Sequence, residues 1–193
     1  KYSDYFFDHN MKEYHPVYLK EITSHIVKQF KVAQKNTLLV CGGLQNSSCE
    51  LFDRESNKSI ELPSIKIPRY GHQVTILDHQ LVVCGGKDIR TKELMNSCEV
   101  YDVSTKKWKS LPPMPMKKYL FGLVCQKKKL YICGGNDQDK EAVNDLHMFD
   151  SETNSWTSLS PMETKRSGHC TISLPGKIFV CGGHDGNSAL ASC

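Results

Sequence analysis

Long apolar runs are missing from this chain. No stretch approaches the ~18 consecutive apolar residues of a membrane-spanning helix, so a helical span is excluded and no membrane association is expected. Charge of one sign is also scarce. Against 25 Lys and Arg stand 21 Asp and Glu, a formal charge of +4 at pH 7, and the two signs alternate along most of the 193 residues. That balance argues against nucleic acid as the partner, because such binders gather base on one face. The basic run Lys127-Lys128-Lys129 lies between two apolar segments and reads as a solvated hairpin turn. Catalytic signatures are absent as well: there is no nucleophile elbow, phosphate loop or paired-carboxylate motif. No secretory leader is visible, although the chain begins at Lys1 rather than at a methionine.

Cysteine is plentiful, with nine residues, and the odd count speaks against a closed disulfide scaffold. Most of the cysteines sit inside apolar runs such as "LLVC" and "LVVC", where a thiol behaves as a small hydrophobe. This usage suits a reducing compartment, hence the cytoplasm. Four of them, Cys41, Cys84, Cys133 and Cys181, are each followed by two glycines. They could form a metal or redox array, or fill a repeated slot that needs a small side chain.

The doublets decide between these alternatives, because they mark a repeat. They begin at residues 42, 85, 134 and 182, in steps of 43, 49 and 48. Arg69, Lys118 and Arg166 stand sixteen residues before the last three doublets, and His72, Phe121 and His169 stand thirteen before them. Seven before each basic residue is Leu62, Leu111 or Leu159, and three after each leucine is Ile65, Met114 or Met162. Downstream, "CELFD", "CEVYD" and "LHMFD" keep register, and seven residues past their aromatics lie Ser59, Trp108 and Trp156. The gap from doublet to aromatic varies (10, 16 and 15), so length changes concentrate in one loop.

Each period predicts four short strands, for example "GHQVTIL", "QLVVCGG", "SCEVYDV" and "KKWKSL", with a tight turn at Asp78-His79. The strand before each doublet is apolar at nearly every position, so both its faces must be covered by neighbouring sheets. Its glycines permit positive φ or close backbone approach. Four-stranded sheets repeating every ~40–50 residues describe a β-propeller. The pattern of basic residue, His, apolar strand, Gly-Gly, Tyr-Asp and Trp resembles the Kelch repeat, over residues 37 to 193. Ser59 departs from it at the tryptophan position, as do Lys118 and Phe121 at the Arg and His positions. Cysteines at equivalent places on different blades, with sheets about 10 Å apart, lie beyond the ~7 Å that a disulfide allows. No Cys-x-x-Cys occurs, and Cys41 and Cys49 form an isolated pair without zinc-ligand spacing, so no metal or other cofactor is expected. His72 and His169 share their place with Phe121 and are expected to be packed rather than liganded.

The predicted fold class is therefore all-β, a partial Kelch propeller of about three to four four-stranded blades preceded by a short helical segment. Residues 1–36 would be the helical end of an upstream domain or a linker. "HPVYLKEITSHIVKQFK" places Pro16 in a first turn and Leu19, Ile22, Ile26 and Phe30 near one face. The Kelch repeats at 37–193 divide into an incomplete first blade (37–62), two blades (63–111 and 112–159) and a truncated blade (160–193). Kelch rings of six blades imply that the chain is a piece of a longer protein, with an uncovered blade face that would favour aggregation.

Two loop sets recur and should emerge together at one end of the ring. One, between blades, holds "PRYGH", "KKYLF" and "KRSGH"; the other, after the doublets, holds "LQNSS", "KDIRTKELMN", "NDQDKEAVN" and "HDGNS". By the Kelch resemblance these loops form a partner-binding surface, which nominates Arg69, Tyr70, Lys118, Tyr119 and Arg166 with Lys87, Asn136 and His184. Several cations at one mouth would favour an acidic peptide motif. The competing reading of the arginines is that they brace the blades through backbone carbonyls. The resemblance further implies a non-enzymatic substrate adaptor of a cullin-RING ubiquitin ligase, joined to the ligase through an upstream BTB domain. An actin-associated cytoskeletal scaffold is the alternative, and a galactose-oxidase-like copper radical enzyme is less favoured.

Overall fold

The computed structural model describes residues 37–42, 47–53, 56–78, 80–102 and 105–193. The helix expected at residues 15–31, with the rest of the 1–36 segment, lies outside the described residues. Fifteen short strands make up the elements of the described residues. β1 (Thr37–Cys41), β2 (Cys49–Asp53) and β3 (Lys58–Leu62) form a three-stranded antiparallel sheet. β4 (Arg69–Tyr70) lies outside the large sheets. β5 (Gln73–Leu77), β6 (Gln80–Cys84), β8 (Cys98–Asp102) and β9 (Lys107–Leu111) form a four-stranded meander, and β7 (Lys87–Asp88) pairs with β4. The next meander is β10 (Gly122–Gln126), β11 (Lys129–Cys133), β12 (Leu146–Asp150) and β13 (Ser155–Leu159). A hairpin of β14 (Cys170–Leu174) and β15 (Lys177–Cys181) completes the described chain.

Consecutive sheets meet along their first strands, β5 against β10 and β10 against β14, which is the packing of propeller blades about an axis. The all-apolar strand explains how the blades are glued. Along β6, side chains alternate between faces with the period of two that a strand imposes. Leu81 and Val83 enter a core with Cys49, Leu62, Ile65 and Trp108 of the preceding interface. Val82 and Cys84 enter a second core with Met114, Phe121, Leu130 and Ile132 of the next blade. All four are buried, so neither face of β6 meets water.

The tryptophans latch the last strand of a repeat to the linker residue with which that repeat begins, just past the last strand of the previous sheet. Trp108 on β9 donates from Nε1 to the Pro63 carbonyl at 2.8 Å, and Trp156 on β13 donates to the Pro112 carbonyl at 3.1 Å. Each also lies against the aromatic directly across the strand pair, Tyr101 at 5.3 Å and Phe149 at 5.2 Å between ring centroids. In the first sheet Ser59 occupies that register, opposite Phe52.

The doublet glycines close the seam. A Cβ on Gly85 (φ +59°) would stand 2.6 Å from Met114 Cε and 2.9 Å from the Lys118 carbonyl, and one on Gly86 would stand 2.8 Å from the Tyr70 carbonyl. Gly86 N–H donates to that Lys118 carbonyl at 2.9 Å, a bond that a displaced backbone would lose. The slot is narrow because another backbone passes through it, which is why two residues without side chains recur there.

Candidate partner-binding face

The two loop sets meet at one end of the sheets, since β5 begins just after the first set and β6 ends just before the second. The structure joins them in pairs. Tyr70 is the ladder partner of Lys87, and Tyr119 exchanges backbone hydrogen bonds with Asn136 at 3.1 and 2.8 Å. Ser167 does the same with His184 at 2.9 and 3.0 Å. The nominated Tyr70, Lys87, Tyr119, Asn136 and His184 thus lie along one continuous rim. Lys87 adds a cation–π contact, its Nζ 5.9 Å from the Tyr119 ring centroid, which ties adjacent repeats together.

Arg69, Lys118 and Arg166 are placed differently from what a contact surface requires. They are 0%, 0% and 6% exposed. Arg69 Nη1 donates to the Gly85 and Ser97 carbonyls at 3.1 and 3.2 Å, and Nη2 donates to Glu99 Oε1 at 2.6 Å. Lys118 Nζ donates to the Gly134 carbonyl at 3.1 Å and to both oxygens of Asp145 at 2.6 Å. Arg166 donates to the Gly182 and Ser192 carbonyls at 2.9 and 3.3 Å. Arg69 and Lys118 therefore clamp the end of the doublet strand to the start of the next strand in their own repeat, and Arg166 clamps the end of β15 to the segment at Ser192. The bracing found here is within a repeat, whereas the sequence suggested bracing between neighbouring blades.

Electrostatics agree with a structural use. Burial pushes the Arg69 and Lys118 pKa values down, opposed in turn by the buried Glu99 and the half-buried Asp145, so each cation is held by its own carboxylate. Three cations are thereby withdrawn from the mouth, and with them much of the argument for an acidic motif.

The histidine position is a packing position. His72 Nε2 lies 2.8 Å from the Cys41 carbonyl, and His169 Nε2 lies 3.5 Å from Cys133 Sγ. Burial, then the nearby Arg166 charge, takes the His169 pKa down to about 4, so it is neutral at pH 7. Among the described residues no group of three or more His, Cys, Asp or Glu converges as a metal site, and no helix is long and apolar enough to cross a membrane.

Cysteine shows one departure from the expected thiols. Cys41 and Cys49 form a disulfide across β1 and β2, with Cα atoms 4.2 Å apart. The distance argument between blades does not apply to it, because the partner comes from the adjacent strand of the same sheet.

Two features of the face were not anticipated. The first is an acid two residues after each second glycine, in "GGKD", "GGND" and "GGHD". Asp88 Oδ1 accepts from Arg90 and Thr91 N–H at 2.7 and 3.3 Å, and Asp137 Oδ1 accepts from Asp139 and Glu141 N–H at 2.9 and 3.1 Å. Asp185 Oδ1 accepts from Asn187 and Ser188 N–H, both at 2.8 Å. These Asx turns fold each loop back on itself, and Lys87, Asn136 and His184 bridge to Leu94, Ala142 and Ala189. The second is Leu120. It occupies the slot of Gly71 and Gly168 and shares their left-handed backbone, with φ +55° against +61° for both glycines. A chain of hydrogen bonds runs through this slot, from Leu120 N–H to the Gly71 carbonyl at 2.9 Å and from Gly168 N–H to the Leu120 carbonyl at 2.8 Å. The leucine side chain is 39% exposed at the mouth. Both signals are visible in a comparison of repeats.

Around this centre the loop charges separate by repeat. The Lys87–Asn96 loop exposes Arg90, Lys92 and Glu93, whereas the Asn136–Asn144 loop exposes Asp139, Lys140 and Glu141. A cleft lies between the second loop and the inter-blade linker, lined by Asn96, Met116, Lys117, Asp137 and Asp139.

Blades packed through doublet seams and Trp latches, with paired loops gathered at one end, define a β-propeller. The model of the KLHDC2/KLHL20/DRC7 Kelch-repeats domain matches residues 5–183, and the chain belongs to the Kelch-repeat family. Kelch repeats are protein-interaction modules, and this chain is one by class. The fold is similar to the solved structure of YjhT, with a TM-score of 0.71 at 17% identity over 80% of this chain. The chain spans 56% of that structure's length. A comparison with curated proteins finds no match.

Proposed function

We propose that the rim formed by Tyr70, Lys87, Tyr119, Leu120, Asn136 and His184 captures a segment of a partner protein, without chemistry at the propeller. The observation that carries this reading is Leu120, a large apolar side chain presented to solvent from a backbone conformation that disfavours it. It would seat an apolar anchor of the partner, flanked by Tyr119. The loops would then set polarity: Lys87, Arg90 and Lys92 complement an acidic stretch, and Asp137, Asp139 and Glu141 a basic one. The acidic motif is thus assigned to the 87–92 loop rather than to Arg69, Lys118 and Arg166.

The test is capture from cell lysate with three proteins: wild type, Leu120→Gly, and Arg90→Glu combined with Lys92→Glu. Loss of the same partner in both variants, with both still folded and Leu120→Gly melting no lower than wild type, is the expected result. Retention of every partner by both folded variants would sink the proposal. The wider setting we propose for this interaction module is substrate adaptor of a cullin-RING ligase. Co-purification of a cullin with the full-length protein tests that setting separately.

A further inference from the structure

Cysteine faces cysteine in more than one repeat. Cys41 is the register partner of Cys49, and Cys84 of Cys98. The flanking bonds are the same: Gly42 N–H to the Ser48 carbonyl at 2.8 Å, and Gly85 N–H to the Ser97 carbonyl at 3.0 Å. In the last repeat Gly182 N–H donates to the Ser192 carbonyl at 3.0 Å, which sets Cys181 opposite Cys193 in the same way. Bonds in that position make each a non-hydrogen-bonded pair, the kind whose side chains approach most closely, with Cα atoms ~4.5 Å apart. The Cys41–Cys49 disulfide, at 4.2 Å, sits in this arrangement. The third repeat breaks the pattern, since Leu146 stands opposite Cys133.

We propose that Cys84 and Cys98 are an oxidation site that closes a second cross-strand disulfide, equivalent to Cys41–Cys49. Both residues are buried as free thiols, at 0% and 1% exposure, and enter the core shared with the next blade. The Cys98 thiol lies beside Cys84, and the Arg69 guanidinium lies near both. Its Nη1 is bonded to the two carbonyls that flank the pair, those of Gly85 and Ser97.

The reaction is thiol–disulfide exchange with a small-molecule disulfide such as oxidised glutathione. One cysteine, as its thiolate, attacks a glutathione sulfur and releases the other glutathione as thiolate. The second cysteine then attacks the mixed disulfide at the protein sulfur and releases the second glutathione. Two protein thiols are oxidised to one disulfide, one glutathione disulfide is reduced to two thiols, and the two protons pass to the departing sulfurs. Burial holds the Cys84 pKa well above its ordinary value, so attack waits for local opening and is slower than at exposed Cys170 or Cys193.

The experiment equilibrates the purified full chain in glutathione buffers of increasing oxidation, quenches with acid, alkylates and maps peptides by mass. The expected result is simultaneous loss of both free thiols, recovered as one peptide linking Cys84 to Cys98, with no glutathione left on either. The proposal is overturned if both alkylate as free thiols under conditions in which Cys41–Cys49 is fully linked. A second variant asks whether the register is sufficient. Leu146→Cys should add a link from Cys133 to the introduced thiol under the same oxidation, and a persistently free thiol there in the folded protein would refute the geometric argument.

Discussion

Replacing Arg69 by alanine leaves Glu99, 4% exposed at its side chain, without the guanidinium 2.6 Å away. It also strips the Gly85 and Ser97 carbonyls of a donor. Removing one partner of a buried ion pair costs about 3–5 kcal/mol. With a urea slope of about 2 kcal/mol per molar, the unfolding midpoint should fall by roughly 2 M. Lys118→Ala should cost less, about 1–3 kcal/mol. Its carboxylate, Asp145, is 22% exposed and keeps His147 Nε2 at 2.9 Å. The assay is equilibrium urea unfolding followed by the fluorescence of Trp108 and Trp156. Arg69→Met with Glu99→Leu should recover most of the loss, because no buried charge remains unpaired. A loss below about 1 kcal/mol for Arg69→Ala, combined with lost partner binding, would refute the clamp and return this residue to the contact surface.

Three further outcomes are expected. Leu120→Gly should raise stability by about 1 kcal/mol by relieving the positive φ, while weakening partner capture; a melt and a binding titration read the two effects separately. Trp108→Phe should cost about 1–2 kcal/mol through the orphaned Pro63 carbonyl, and more than Trp156→Phe, whose indole is less buried; urea midpoints rank them. His169 has a folded pKa of about 4 against an ordinary 6.5, so the unfolded chain binds the proton more readily. Its contribution is complete above pH 6.5 and is lost as pH falls toward 4, at most about 3 kcal/mol. His169→Phe, which copies Phe121, should flatten stability across that window.

What the sequence made legible was whatever depends on local period. The unbroken apolar run Leu81–Cys84 announced a strand covered on both faces, and the doublet announced a slot without side chains. Interchange of His169 with Phe121 announced packing. The basic residues were less readable because a long side chain can run toward solvent or back into its own blade. For Arg69 the deciding acid lies 30 residues away, which no local pattern links to it. The cross-strand cysteines were not legible because the repeat relates equivalent cysteines on different blades, whereas the register that sets Cys49 opposite Cys41 and Cys98 opposite Cys84 depends on the length of the intervening loop. Leu120 and the three loop acids were present as repeat correspondences, and their meaning needed the backbone conformation and the direction of the carboxylates.

The Asx turns have a consequence for how this surface can diversify. Each loop is closed at its base by a backbone bridge and folded internally by its own aspartate, so its tip is structurally insulated from the propeller beneath. Residues 90–92, beyond the Ile89 N–H bond to the Pro68 carbonyl, can therefore be exchanged for other sequences, or lengthened, without disturbing the seams, as the unequal gaps after the doublets already illustrate. The rim behaves as a set of interchangeable cartridges on a fixed barrel. If the rim is the proposed capture surface, recognition can be rewritten one loop at a time while the scaffold that presents it stays constant.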